Sequence, residues 1–304
     1  MALLPCLPPI ANPRRPHLPT PAGACDTHFH IFGPSARFPF SPDRAYTPED
    51  APLEAALAMH GVLGIERGVA VQGNAHGTDN AAMIDAVQRS AGRLRGVGIV
   101  PADTPAGEIR RMADAGVCAL RFHHIAGHMK ATFSPLGVEA FLELAPTMTE
   151  LGLHVQIMMD ASELPAIMPR LDQWKAPIVL DHYALAPAAR GVSDPGIEAV
   201  LRYLSEGRIW IKLSGAYRIS ERYPDYDDVR PLHEALVKAN PDQVLWGSDW
   251  PHPRLAGNMP DDGHLLDLFN AWTPDAATRE KILVKNPAAL YGFQLDAKLY
   301  NRSC

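Results

Sequence analysis

Short apolar runs recur along this chain, and most are followed by a stretch in which apolar residues return every three or four positions. The runs have the length and composition of buried strands. The stretches, such as "DNAAMIDAVQRSAGRL" and "GVEAFLELAPTMTELG", have the spacing of amphipathic helices. Eight strands alternating with helices favour a single (β/α)8 TIM-type barrel over a doubly wound sheet. The predicted strands are "ACDTHF", "GVAVQG", "GVGIV", "VCALRF", "LHVQIMM", "PIVLDH", "RIWIKLS" and "QVLWGSD".

The opening segment "MALLPCLPPIANPRRPHLPTPAGA" is rich in proline. It lacks the basic start and long apolar core of a signal peptide, so we expect an irregular N-terminal arm over residues 1–23. The barrel is predicted over residues 24–294 and a C-terminal tail over 295–304. Because the sequence contains no apolar run of about 18 residues, we expect no membrane span.

The composition is that of a globular enzyme, with 304 residues, 47% hydrophobic and 20% charged. The formal charge of -6 argues against general binding to nucleic acids or anionic membranes, so any attraction for anions must be local. Four cysteines (Cys6, Cys25, Cys118 and Cys304) lie far apart with no CxxC pair, which indicates a reducing cytoplasm rather than a disulfide framework. Monomer and homo-oligomer both remain open.

Polar side chains are concentrated at the carboxyl ends of the predicted strands, where the active site of a barrel enzyme lies. His28 and His30 are separated by one residue, so in a strand they point to the same side. His123 and His124 are adjacent, so only one of them can face the site if the strand continues. The strand-end residues, in chain order, are His28, His30, Gln72, Asn74, His76, Arg121, His123, His124, Gln156, Asp181, His182, Ser214, Tyr217, Arg218 and Asp249.

The motifs HxH on the first strand, histidine after the sixth and "WGSDWPHP" at the eighth resemble the amidohydrolase superfamily, in its amidohydrolase-2 branch. The segments "FGPSARFPFSPDRAYTPEDAP", "VQGNAHGTDN" and "VLWGSDWPHP" are similar to those of the 2-pyrone-4,6-dicarboxylate hydrolases and related lactone-processing enzymes, including sulfomuconolactone hydrolases and galactarolactone isomerases. The resemblance extends from about Cys25 to Phe293. It implies a (β/α)8 barrel and hydrolysis of a ring ester that carries acidic groups, as in aromatic or sugar-acid catabolism.

The resemblance also bears on metal content. Two-metal amidohydrolases carry lysine or glutamate on strand four and histidine on strand five, where this sequence has Arg121 and Gln156. The pyrone-dicarboxylate hydrolases work without a metal, whereas the sulfomuconolactone relatives bind zinc. A metal-free site and a single divalent cation, with Zn²⁺ the best match, therefore both remain open. The four candidate ligands are His28, His30, His182 and Asp249.

Lactone hydrolysis needs a base for water, a group that polarises the carbonyl and a proton donor for the departing oxygen. Asp249 is the expected base and donor, with a turn residue as the structural alternative. His28, His30 and His182 are expected to polarise the carbonyl, directly or through a cation. An alternative function that uses the same residues is metal-dependent, non-oxidative decarboxylation of a small unsaturated or aromatic acid.

Arg121 and Arg218 are the expected anion-binding residues, because guanidinium groups match carboxylate or sulfonate oxygens. Gln156 is predicted either to orient substrate or to plug the barrel, and the loop of Asn74 and His76 either to bind substrate or to cap a helix. The weaker substrate-binding candidates are Tyr46, Asn74, His76, His123 and Gln156.

Several positions depart from the pyrone-dicarboxylate hydrolase pattern. Gly127 and Leu185 replace expected arginines, and Met158 lies at or beside an expected tyrosine. His128 and Lys130 offer different donors. We therefore expect the chemistry to be retained and the ring that is recognised to differ. The galactarolactone isomerases replace the first histidine and last aspartate by amides, whereas His28 and Asp249 are present here, which favours hydrolysis over isomerisation.

Overall fold

The computed structural model describes residues 3, 4, 6–124 and 137–294. In this part of the chain, eight parallel strands follow one another in chain order, each paired with the next, which confirms the predicted barrel. The strands are β1 (Cys25–Phe29), β2 (Arg67–Val71), β3 (Leu94–Gly98), β4 (Val117–His124), β5 (His154–Met159), β6 (Ile178–Leu180), β7 (Trp210–Leu213) and β8 (Val244–Trp246). Gly127, His128, Lys130 and the predicted tail lie outside the described residues.

Helices follow the strands and cover the outer face of the barrel, as their apolar spacing predicts. The α-helices are α1 (Leu53–Leu63), α2 (Ala81–Arg89), α3 (Ala106–Asp114), α4 (Val138–Glu150), α5 (Leu164–Ile167), α6 (Pro195–Ser205), α7 (Arg230–Ala239), α8 (Asp262–Trp272), α9 (Ala276–Glu280) and α10 (Asn286–Tyr291). No helix among the described residues is long and apolar enough to cross a bilayer.

The alternation of side chains along the strands brings polar groups to one end of the barrel interior. In β4, Leu120 and Phe122 pack outward against the helices, while Ala119 packs with the apolar cluster inside the barrel. Since successive side chains of a strand point to opposite faces, Arg121 and His123 share the inward face with Ala119. The interior is therefore apolar near the amino ends of the strands and polar at the carboxyl ends, which we call the mouth.

Hydrogen bonds between the carboxyl ends of β1 and β8 join the first strand to the last. The hydroxyl of Thr27 donates to the carbonyl oxygen of Trp246 at 2.7 Å. The backbone N–H of Asp249 donates to the carbonyl oxygen of His28 at 2.7 Å, and that of His30 to Trp250 at 2.8 Å. The two candidate histidines and the candidate base therefore lie on segments that are bonded directly to each other.

The N-terminal arm is irregular, as predicted, with neither helix nor strand over residues 6–23. Its first described residues contact the mouth. The N–H of Leu4 donates to the carbonyl oxygen of Ala45, and that of Leu7 to Leu255, both at 2.8 Å. The boundaries proposed at residues 23 and 294 remain predictions.

His233 of α7 gives the fold a measurable acid sensitivity. Burial lowers its pKa to about 3, and its ring nitrogens lie 3.2 Å from the Tyr183 hydroxyl and 2.7 Å from the Thr273 hydroxyl. The unfolded chain, with a histidine pKa of about 6.5, binds this proton first as the pH falls. The contribution of neutral His233 to the free energy of unfolding is therefore complete above about pH 6.5. It is lost as the pH falls toward 3, at about 1.4 kcal/mol per pH unit.

We expect His233→Gln to reduce the pH dependence of the free energy of unfolding, measured by urea titration between about pH 7 and pH 4.5. Other buried histidines keep some dependence. The control is Gln88→Ala, a change at an exposed position that removes no titratable group, so its slope should match the wild type. Equal slopes for His233→Gln and the wild type would contradict this assignment.

Candidate active site

Both histidines of the HxH motif lie buried at the mouth. Nδ1 of His30 lies 2.8 Å from the carbonyl oxygen of Val71, which it can contact only as a donor, so a neutral His30 carries a lone pair on Nε2. That nitrogen lies 3.2 Å from Oδ1 of Asp249. Nε2 of His28 lies 3.8 Å from the same oxygen and has no hydrogen-bond partner among the described residues. Burial lowers the pKa of His28 to about 3, so its ring is neutral.

Asp249 follows β8 with a backbone φ of +63°, in the left-handed region that aspartate tolerates better than most residues. Its Oδ2 accepts hydrogen bonds from the Tyr217 hydroxyl and from Nε of Arg218, both at 2.5 Å. Burial alone would raise the pKa of Asp249, but the Arg218 guanidinium and the neighbouring histidines hold it well below its usual range. Asp249 is therefore ionised, with Oδ2 engaged and Oδ1 directed at the two histidines.

His182 follows β6 in a turn of four consecutive residues with positive φ, His182 to Leu185. Such backbone is costly for residues with a Cβ atom, and it places the His182 ring 4.4 Å from the ring of His28, centre to centre. Nδ1 of His182 lies 2.9 Å from the Ser214 hydroxyl and 3.9 Å from Oδ2 of Asp249. All four predicted ligands thus meet at the mouth, although His182 already has a close hydrogen-bond partner.

A network of buried charges supports the site from below. Asp181 accepts hydrogen bonds from Nε of Arg121 at 2.8 Å and from Nε2 of Gln156 at 3.1 Å. Its other oxygen lies 3.2 Å from Nδ1 of His28. Lys212 of β7 is fully buried and donates to Oε1 of Gln156 at 2.7 Å. Burial lowers the pKa of Lys212 to about 8. Burial would raise the pKa of Asp181, but Arg121 and the other positive neighbours hold it well below its usual range.

A pocket opens above these groups. Arg121 and Arg218 line it, but each guanidinium already binds a buried carboxylate through Nε, Arg121 with Asp181 and Arg218 with Asp249. The predicted anion-binding residues therefore also hold the acids of the site in place. The residues that line the pocket are His30, Tyr46, Asn74, Arg121, Met158, His182, Arg218, Pro253 and Arg254.

Two of the predicted substrate-binding residues bind the protein itself. The amide of Gln156 donates a hydrogen bond to Asp181 through Nε2 and accepts one from Lys212 through Oε1. These contacts correspond to the alternative in which Gln156 fills the barrel instead of orienting substrate. Nε2 of His76 accepts the N–H of Gly33, and Nδ1 donates to the carbonyl oxygen of Pro39, both at 3.2 Å. The contacts of His76 thus stabilise the loop after β1, because a rim loop must satisfy its own backbone groups.

The structure distinguishes His123 from His124. β4 continues through both residues, and His123 is buried on the inward face with Arg121. Burial, together with the Arg121 charge, places the pKa of His123 well below its usual value. His124 points outward, with Nε2 3.9 Å from Glu163 and a side chain 24% exposed. His123 is therefore the member of the pair that lies on the side of the site.

Sequence reasoning gave no role to several residues that the structure brings to the site. Lys212 could have been noticed, because it is a lone charge within the apolar run "RIWIKLS". Tyr217 and Asp181 were visible as strand-end residues, but nothing in the sequence pairs them with Asp249 and Arg121. Arg254 lies in the loop after β8, and no local pattern marks it as part of the pocket wall.

Comparison with known proteins agrees with this architecture. The amidohydrolase family model of the amidohydrolase-2 type matches residues 25–293. This chain belongs to the amidohydrolase family.

Two curated relatives of this amidohydrolase act on cyclic esters. It is 38% identical over 290 residues to the 2-pyrone-4,6-dicarboxylate hydrolase of Comamonas testosteroni, covering 92% of this chain and 94% of the relative. It is 40% identical over 292 residues to the 4-sulfomuconolactone hydrolase of Rhizobium radiobacter, covering 94% and 97%. An apo crystal structure from Agrobacterium tumefaciens has a TM-score of 0.79 and 27% identity, covering 92% and 100%.

The donor atoms of this amidohydrolase fit a metal ion. Among the described residues, two groups of side chains bring three ligand atoms within 4.8 Å of one another, His28 with His30 and Asp249, and His28 with Asp181 and His182. In the first group, the lone pair of a neutral His30 faces the Asp249 carboxylate, and the buried Nε2 of His28 lacks a hydrogen-bond partner. A cation between these atoms would separate Nε2 of His30 from a direct lone-pair contact with the carboxylate. It would also give the buried Nε2 of His28 a partner.

Proposed function

We propose that this amidohydrolase hydrolyses a lactone carrying carboxylate or sulfonate groups, of the muconolactone, sulfomuconolactone or pyrone-dicarboxylate type. The observation that carries the proposal is the position of Asp249, ionised and facing His28 and His30 beneath a pocket lined by arginines. The reactions of the two curated relatives, at 38% and 40% identity, support the same class of substrate.

In the proposed reaction, water attacks the acyl carbon of the lactone while Asp249 accepts a proton from that water through Oδ1. Tyr217 and Arg218 hold Oδ2, so the carboxylate keeps its orientation as the proton arrives. The bond between the acyl carbon and the ring oxygen then breaks, and Asp249 returns the proton to the departing oxygen. The ring opens to a new carboxylic acid, which releases one proton at neutral pH.

We further propose that His28, His30 and Asp249 hold one divalent cation. A bound cation supplies Lewis acidity that polarises the lactone carbonyl. Zn²⁺ is the cation that best suits imidazole nitrogen with carboxylate oxygen. Asp181 supports His28 from below, because its carboxylate lies 3.2 Å from Nδ1 of His28 and can accept the proton of that nitrogen, which leaves the lone pair on Nε2. Cys6, Cys25 and Cys118 are free thiols, which supports a reducing, cytoplasmic setting.

A substrate screen tests the proposed reaction. Muconolactones, 4-sulfomuconolactone, 2-pyrone-4,6-dicarboxylate and sugar-acid lactones are each incubated with enzyme while base consumption and CO2 are recorded together. We expect at least one acidic lactone to consume about one equivalent of base per ring opened, with no CO2. Release of CO2 from a candidate acid without ring opening would indicate the decarboxylase alternative and overturn the proposal.

A further inference from the structure

Arg254 contributes a third guanidinium to the wall of the pocket, beside Arg121 and Arg218. It lies in the loop after β8, five residues beyond Asp249 in the sequence, with a φ of +72°. Positive φ is costly for arginine, so the surrounding contacts must fix this conformation. The loop therefore holds Arg254 in a backbone geometry that arginine seldom adopts, which is typical of functional positions.

The N-terminal arm fixes the backbone around Arg254. The N–H of Arg254 donates to Sγ of Cys6 at 3.4 Å, and the N–H of Leu7 donates to the carbonyl oxygen of Leu255 at 2.8 Å. The same arm binds the loop that carries Tyr46, through the N–H of Leu4 and the carbonyl oxygen of Ala45. Both loops that form this side of the pocket are thus bonded to one segment, which orders them before substrate binds.

Three guanidinium groups line this pocket, those of Arg121, Arg218 and Arg254. Arg254 lies near Arg218, and burial together with that like charge lowers its pKa. Two guanidinium groups on one wall repel each other, and an anionic group placed between them would relieve that repulsion.

We propose that Arg254 is a specificity-determining residue that binds a second anionic group of the substrate, so that lactones with two anionic groups are preferred over those with one. The inference rests on the proposed lactone hydrolysis and adds the residue that selects among lactones. Arg254 supplies this grip from the loop after β8, whereas Gly127 and Leu185 stand in the sequence where the resemblance implies arginine.

The test uses binding, which does not depend on turnover. Isophthalate, a planar ring with two carboxylates, and benzoate, with one, are titrated into wild type, Arg254→Gln and Arg254→Lys by calorimetry. We expect the wild type to bind isophthalate about 10-fold more tightly than benzoate. Arg254→Gln should lose most of this preference while its affinity for benzoate stays within about 2-fold, and Arg254→Lys should be intermediate.

The matched control is Arg222→Gln, which removes an arginine that is 63% exposed and paired with Asp227, and it should bind both ligands as the wild type does. An undiminished preference in Arg254→Gln, an equal loss for both ligands, or no wild-type preference would each overturn the role of Arg254. If one of these results is obtained and the wild type still hydrolyses acidic lactones, the role of Arg254 is rejected and the proposed function is unaffected. Selective loss of isophthalate binding in Arg254→Gln supports the role of Arg254 in binding a second anionic group, even if no tested lactone is hydrolysed.

Discussion

Asp249→Asn is expected to lower kcat for lactone hydrolysis by about 1,000-fold or more while the protein remains folded. The amide has nearly the same shape as the carboxylate and tolerates the positive φ of this position, but it cannot accept the proton of the attacking water. The measurement is initial rates on the best lactone from the screen, with thermal unfolding recorded for the same preparation.

The control for this variant is Asp242→Asn. Asp242 precedes β8, at the end of the strand opposite Asp249, and its side chain is 68% exposed. We expect wild-type rates from it. A decrease of less than about 10-fold in the Asp249→Asn variant would remove Asp249 from its role as base, because general acid–base groups typically contribute 10²–10⁴-fold.

Removal of divalent cations is expected to lower hydrolysis by about 100-fold or more, and Zn²⁺ is expected to restore it. The reason is the pair of imidazole nitrogens directed at Oδ1 of Asp249, Nε2 of His30 at 3.2 Å and Nε2 of His28 at 3.8 Å. The measurement is the rate before and after dialysis against a chelator, with the metal content of each sample determined by elemental analysis.

A pair of variants separates a bound metal from an incidental one. His30→Gln should lose the metal, because an amide is a much weaker ligand than imidazole for Zn²⁺. His124→Gln makes the same change at a histidine that points away from the site and should retain one metal per chain. Full activity in a preparation with well under one metal per ten chains would show that His28, His30 and Asp249 act without a cation.

The sequence predicted the barrel because its signal is periodic. Alternation along β4 places Arg121 and His123 on the inward face, and parallel strands bring their carboxyl ends to one mouth. The meeting of His28, His30 and Asp249 followed from the same rule, since each lies at such an end. The sequence therefore predicts which residues at the strand ends meet at the mouth, even when they are far apart in the chain.

The partners of those residues were not accessible in the same way. Arg121 and Arg218 were expected to bind substrate, but distances in the folded chain pair them with Asp181 and Asp249. His76 was expected near the substrate, and its two hydrogen bonds to loop backbone depend on how the loop after β1 folds back. Arg254 shows the same limit, because its place in the pocket depends on loop conformation and not on any period.

The bonds between the first and last strands have a consequence for synthesis of the enzyme. Thr27 and Trp246, which are bonded to each other, lie 219 residues apart in the sequence. A nascent chain that has completed seven strands carries the two imidazoles but lacks the carboxylate of Asp249. We therefore expect activity to begin only after the eighth strand leaves the ribosome and docks, so that incomplete products of translation are catalytically inert.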